Sequence, residues 1–163
     1  MRRFAVLFVS ASMMTLFASG CGVGPVEEHP PSTPLSVSGV MKQGDFSVTL
    51  TSQPRVADVG RGFSLTLTVR NLSGKPRTFE FSSGQTFDFF AYEKEGAQVW
   101  RWSEGMMFIQ SLASETIEAG GNRDYKASWD AAGQGPGKYA IEGVFLGLEN
   151  LKPKVDVEIS SGK

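Results

Sequence analysis

The sequence predicts an all-β domain, an antiparallel, immunoglobulin-like β-sandwich of about 7–9 strands. Three observations predict it. Short segments along most of the chain alternate apolar and polar residues with a period of two, the mark of strands with one buried face. Nineteen glycines and eight prolines punctuate a chain otherwise rich in Val, Thr, Phe and Ser. No segment sustains the 3.6-residue apolar period of an amphipathic helix. A closed barrel shares these features and is the alternative architecture.

The elements follow in order. Asp45–Thr51 puts Phe46, Val48 and Leu50 on one face and Ser47, Thr49 and Thr51 on the other. After breaks at Gln53-Pro54 and Val59–Gly62, Phe63–Val69 repeats the pattern with Phe63, Leu65, Leu67 and Val69 inward. Asn71-Leu-Ser-Gly-Lys-Pro76 reads as a turn, and Arg77–Phe81 as a strand with Phe79 and Phe81 inward. Ser82-Ser-Gly84 leads into Gln85–Tyr92, and the polar Glu93-Lys-Glu-Gly96 connects it as a hairpin to Gln98–Trp102. Ser103–Gln110 is less regular. Ala113–Ala119 is a short strand and Gly120-Gly-Asn a turn, followed by Arg123–Trp129 with Tyr125, Ala127 and Trp129 on one face. Gly133–Gly137 is a loop, residues 138–147 are strand-like and apolar, and Lys154–Ile159 closes the domain with Val155, Val157 and Ile159 inward. The domain is placed at residues 37–160.

Composition excludes several classes. There are 16 Lys and Arg against 17 Asp and Glu, with no basic run to neutralise phosphates, so nucleic acid is not an expected partner. One cysteine and one histidine leave no internal disulfide, no Cys–His pair and no cluster with metal-ligand spacing. Gly120-Gly and the Gly133–Gly137 loop lack the strand–turn–helix setting of a phosphate site. No enzyme activity, metal or cofactor is expected. Asn71-Leu-Ser matches a glycosylation sequon, a short pattern that is common by chance.

The start of the chain reads as an address. Arg2 and Arg3 precede an apolar run from Phe4 to Phe17, interrupted only by Ser10, Ser12 and Thr15. That run is short for a membrane span, which needs about 20 residues. Ala18-Ser19-Gly20-Cys21 then places small residues directly before the only cysteine. The pattern resembles a lipobox, with Ala18 where Leu is usual. The expectation is a lipoprotein signal peptide over residues 1–20 and a lipid on Cys21 that anchors the chain to a membrane. Residues 21–36 hold four prolines and read as a semi-rigid tether, with the lone His29 in it. The expected location is therefore the bacterial cell envelope, facing the periplasm or the exterior.

The richest stretch is the hairpin Gln85–Tyr92 and Gln98–Ser103. Phe87, Phe89 and Ala91 fall on one face and Asp88, Phe90 and Tyr92 on the other, so both faces carry aromatics. Such a strand is either central and covered or presents a face to a partner. Trp100 and Trp102 share one face and read as core aromatics, making this the central hairpin of the sandwich. Asp88 and Arg101 are placed to pair across it.

Together, Asn71-Leu-Ser-Gly-Lys-Pro, Phe81-Ser-Ser-Gly-Gln-Thr-Phe-Asp-Phe, Val99-Trp-Arg-Trp-Ser, Phe108-Ile-Gln, Trp129-Asp and Gly137-Lys-Tyr resemble the BsuPI family of intracellular proteinase inhibitors of bacilli. The resemblance spans roughly residues 63–144. It implies a small β-sandwich, with Gly84, Gln85, Asp88, Trp100, Arg101, Trp102 and Ser103 as diagnostic residues of structural character. It also implies inhibition of a serine protease. An inhibitor of the substrate-like kind needs an exposed, preorganised loop. Glu104–Ile109 is the candidate, with Met106, Met107 or Phe108 as the apolar anchor, although the same residues would also serve to cap one end of the core. The leading expectation is an envelope-anchored sandwich that binds and inhibits a serine protease. The alternative is a non-inhibitory interaction or scaffolding module of the envelope, and a sugar-binding sandwich ranks third.

Overall fold

The structure, a computed structural model, describes residues 35–161. The expected signal peptide, Cys21 and its lipid, His29 and nearly all of the 21–36 tether lie outside the described residues. The described chain forms eleven strands: β1 (Val37–Gln43), β2 (Phe46–Gln53), β3 (Val56–Asp58), β4 (Phe63–Asn71), β5 (Arg77–Phe81), β6 (Phe87–Glu93), β7 (Gln98–Arg101), β8 (Ala113–Ile117), β9 (Asn122–Trp129), β10 (Gly137–Phe145) and β11 (Lys154–Ser160). Two of these, β1 and β3, exceed the expected set. They lack the alternation that marks a half-buried strand: β1 is mostly exposed at a sheet edge, and β3 is three residues long.

The strands form an all-β, immunoglobulin-like sandwich. One sheet has the order β1-β2-β4-β9, the other β3-β11-β10-β6-β7, and β5 pairs with β8 as a separate ribbon. Every pairing is antiparallel except that of β3 with β11. Both large sheets keep free edges, so the architecture is a sandwich and not a closed barrel. The expected inward residues are inward. Val48, Leu50, Leu65, Leu67 and Val69 of one sheet are 0–1% exposed, and Phe89, Ala91 and Ile141 of the other are 0%. Each large apolar side chain buried this way contributes about 1.5–3 kcal/mol.

An aromatic seam joins the sheets. Trp129 of β9 stacks on Trp100 of β7 at 6.1 Å and meets Tyr139 of β10 edge-on at 5.5 Å. Tyr125 of β9 contacts Phe87 at 4.9 Å and Phe145 at 5.4 Å. Facing Leu67 of the other sheet, β10 has Gly143, where a β-carbon would stand 2.7 Å from Leu67 Cδ1. The β5–β8 ribbon sets Phe79 against Phe46 and Phe145, and Phe81 against Phe145.

The aromatic hairpin β6–β7 is not central, as the sequence suggested. β7 is the edge strand of the five-stranded sheet. The aromatics on the outer face of β6 are covered by cations instead of a third layer. Arg101 lies over the Phe90 ring at 5.2 Å and Lys154 over the Tyr92 ring at 5.3 Å. Phe90 and Tyr92 stack on each other at 6.2 Å. A strand apolar on both faces can therefore sit beside an edge when long charged side chains lie across it.

Candidate functional site

The site is built from the turn before β6, the β6–β7 hairpin and the loop from Ser103 to Leu112. Its anchor is Asp88, which is 1% exposed. The alternation of β6 sends this carboxylate to the outer face, where it accepts five hydrogen bonds. Oδ2 accepts from Ser103 Oγ at 2.6 Å, Arg101 Nε at 2.7 Å and Gln85 Nε2 at 3.1 Å. Oδ1 accepts from the backbone N–H of Phe89 at 3.0 Å and of Ser103 at 3.2 Å. A buried carboxylate is costly without such partners. The bonded set explains why Gln85, Asp88, Arg101 and Ser103 occur together in the motif. Arg101 is half-exposed, so its guanidinium is shared between the carboxylate, the Phe90 ring and solvent.

The loop leaves β7 through this knot. Glu104 N–H bonds to Arg101 O at 3.2 Å and Met106 N–H to Ser103 O at 3.1 Å. Gly105 makes the tight turn possible with a φ of +75°, a left-handed conformation that side chains disfavour. Farther on, Gly84 N–H donates to Ile109 O at 2.9 Å, tying the loop to the turn before β6. Phe108 turns inward onto Trp102 at 6.0 Å, and Trp102 stacks on Phe87 at 4.2 Å. Trp100 and Trp102 are both half-buried against the core.

Between these braces the loop shows its other side chains to solvent. Met107 is 98% exposed, Ile109 77%, Leu112 87% and Met106 47%. The three expected anchors thus divide. Phe108 faces the protein as a brace, whereas Met106 and Met107 face out. An open cleft of about 390 Å³ runs beside the loop between Gln85, Gln98, Arg101, Glu104 and Met106.

Two polar clusters were not legible as such. Asn71, within the stretch read as a turn, is fully buried. Its Nδ2 donates to the carbonyls of Lys75, Ile117 and Glu118 at 2.7, 3.1 and 3.2 Å. Its Oδ1 accepts from Ser73 N–H at 3.0 Å and Ser73 Oγ at 2.7 Å. This Asn fastens the end of β4 to the end of β8, and its burial removes it as a glycosylation acceptor. The second cluster lies on the outer face of the five-stranded sheet. Lys154 Nζ, over the Tyr92 ring, pairs with Glu142 at 2.9 Å. Hydrogen bonding to Glu142 pushes the Lys154 ammonium pKa up, and burial with the nearby Glu142 charge pushes the Tyr92 phenol up. On β9, the hydroxyl of the buried Tyr125 donates to Glu115 on β8. Burial, and then that bond, hold its pKa well above the ordinary tyrosine value.

A family model matches residues 46–150, and its description is BsuPI, intracellular proteinase inhibitor. The chain belongs to the BsuPI family. The match covers the Asp88 knot, all three tryptophans and the whole exposed loop, and leaves out β1 and β11. BsuPI proteins are described as proteinase inhibitors, so the family is non-catalytic and implies a protease partner. No curated protein matches the chain. Among solved structures, it is similar to a β-glucosidase from Listeria innocua in complex with glucose, at 12% identity and a TM-score of 0.47. It covers 72% of this chain and 16% of the glucosidase. It is also similar to a cycloisomaltooligosaccharide glucanotransferase from Paenibacillus sp., at 19% identity and TM-score 0.47, covering 74% of this chain and 15% of the other. A CARDB domain of PF1109 from Pyrococcus furiosus is 18% identical with TM-score 0.43, covering 74% of this chain and 99% of that domain. The chain therefore spans about a sixth of the two carbohydrate-active enzymes.

Proposed function

We propose that this BsuPI protein is an envelope-anchored inhibitor that presents the Ser103–Leu112 loop to the cleft of a serine protease. The observation that carries this reading is the position of Met107, 98% exposed between a knot at Ser103 and a backbone tie at Ile109. A large apolar side chain held out in water has no folding role and gains only when a partner buries it. Bracing at both ends limits the entropy lost on binding, which is what an inhibitor without disulfides requires. The loop holds no Lys or Arg from Ser103 to Leu112, so the matching protease has an apolar primary pocket.

The proposed location follows from the leader: a lipid on Cys21 would hold the domain outside the cytoplasm, where the family's intracellular targets are absent. The partner is then an extracytoplasmic or secreted serine protease. Purified full-chain protein at micromolar concentration should slow peptide hydrolysis by such a protease, and Met107→Glu should relieve that inhibition. A broad panel of proteases, none of them slowed, would leave a scaffolding role for the same exposed loop. Incorporation of labelled fatty acid, abolished by Cys21→Ser, tests the anchor.

A further inference from the structure

We infer that Met107, with Met106 beside it, is a site of reversible oxidation that switches the loop's protease binding off. The inference rests on the proposed inhibitory role of the loop and adds its regulation. Three methionines lie among the described residues. Met107 is 98% exposed and Met106 47%, both in the loop, while Met41 on β1 is 38% exposed. The sole cysteine of the chain is Cys21, so residues 35–161 hold no thiol to compete for oxidant.

The reaction needs a peroxide. The Met107 sulfur lone pair attacks one peroxide oxygen, an S–O bond forms and the O–O bond breaks. Sulfur is oxidised by two electrons, and hydrogen peroxide is reduced to water as the departing hydroxide takes the remaining proton. The sulfoxide is polar and chiral, and it replaces a flexible apolar side chain that suits an apolar pocket. Neither loop methionine lies in the buried core, so the sandwich itself is untouched. A switch at this position changes binding and leaves folding alone.

The test treats the purified full-chain protein with hydrogen peroxide and follows each methionine by peptide mass spectrometry. Among Met41, Met106 and Met107, Met107 should oxidise first and Met41 last. The inhibition constant should rise at least about tenfold in step with Met107 sulfoxide, as expected for removing one apolar side chain from a pocket. Methionine sulfoxide reductase should restore inhibition, and the melting temperature should not move. Met41→Leu should leave the response to peroxide as it is. In M106L/M107L the ratio of inhibition before and after peroxide should stay near one, whatever that variant's starting potency. Equal oxidation of Met41 and Met107, or inhibition that survives complete Met107 oxidation, would overturn the switch. An untreated protein that inhibits no protease defeats the inhibitory reading and the switch together. The order of oxidation is read independently of both.

Discussion

Replacing Asp88 by alanine strands five donors at once, three of them on the side chains of Gln85, Arg101 and Ser103. The carboxylate is buried and its arginine partner half-exposed, so the two ends of this ion pair are not equivalent. Asp88→Ala should cost roughly 2–4 kcal/mol, because buried N–H and O–H groups lose their acceptor. Arg101→Ala should cost about 1–2 kcal/mol, since the carboxylate keeps its other donors. Urea unfolding monitored by tryptophan fluorescence distinguishes them, and equal losses would contradict the bonded arrangement. Tyr125 sets a second prediction. Its pKa is raised in the folded state above the ordinary 10.0, so the folded chain holds that proton more tightly than the unfolded chain. The stability it lends is complete below about pH 10 and falls as pH rises further, by up to about 1.4 kcal/mol per pH unit. Tyr125→Phe should therefore flatten the alkaline limb of a stability-against-pH curve. Asp88 was legible as a hairpin partner of Arg101, but its burial was not. Alternation assigns it only to the face opposite Phe89, and its cover there comes from the side chains of Gln85, Arg101 and Ser103.

At the scale of elements, the loop and its supports divide the labour. Trp102 lies between Phe87 and Phe108, so Trp102→Ala should destabilise the domain by about 3–5 kcal/mol through the cavity it leaves. The strands β2, β4, β9 and β11 were readable because each turns its apolar residues to the core and its polar residues away from it, which writes a period of two into the sequence. β1 and β3 were not readable because β1 is mostly exposed and β3 is only three residues long, so neither writes a sustained period of two. The hairpin misled for a related reason. Its outer aromatics suggested a covering layer, and the cover consists of Arg101 and Lys154, which sequence alone counts as solvent-facing charge. The irregularity of Ser103–Gln110 was visible as a break in alternation. Which of its side chains face outward depends on the Gly84–Ile109 tie, a contact between segments with no pattern to announce it.

For the whole molecule, closing the sandwich demands small residues where layers touch. On β1, a β-carbon at Gly39 would stand 2.2 Å from the carbonyl oxygen of Lys154 on β11. Backbone gives way poorly, so Gly39→Ala should cost roughly 1–3 kcal/mol and lower the melting temperature. β1 and β11 both lie outside the family match, so this loss would show that these strands complete the domain. On the proposed reading, the molecule is a sandwich whose folding leaves one apolar loop exposed until a protease covers it. The most direct measurement is the inhibition constant of the full chain and of Met107→Glu against secreted serine proteases with apolar primary pockets, with melting temperatures taken in parallel. The account predicts inhibition by the wild-type chain, a loss of at least about tenfold in the variant, and the same melting temperature for both. Equal inhibition by both proteins, or a variant that loses inhibition only because it unfolds, would contradict it.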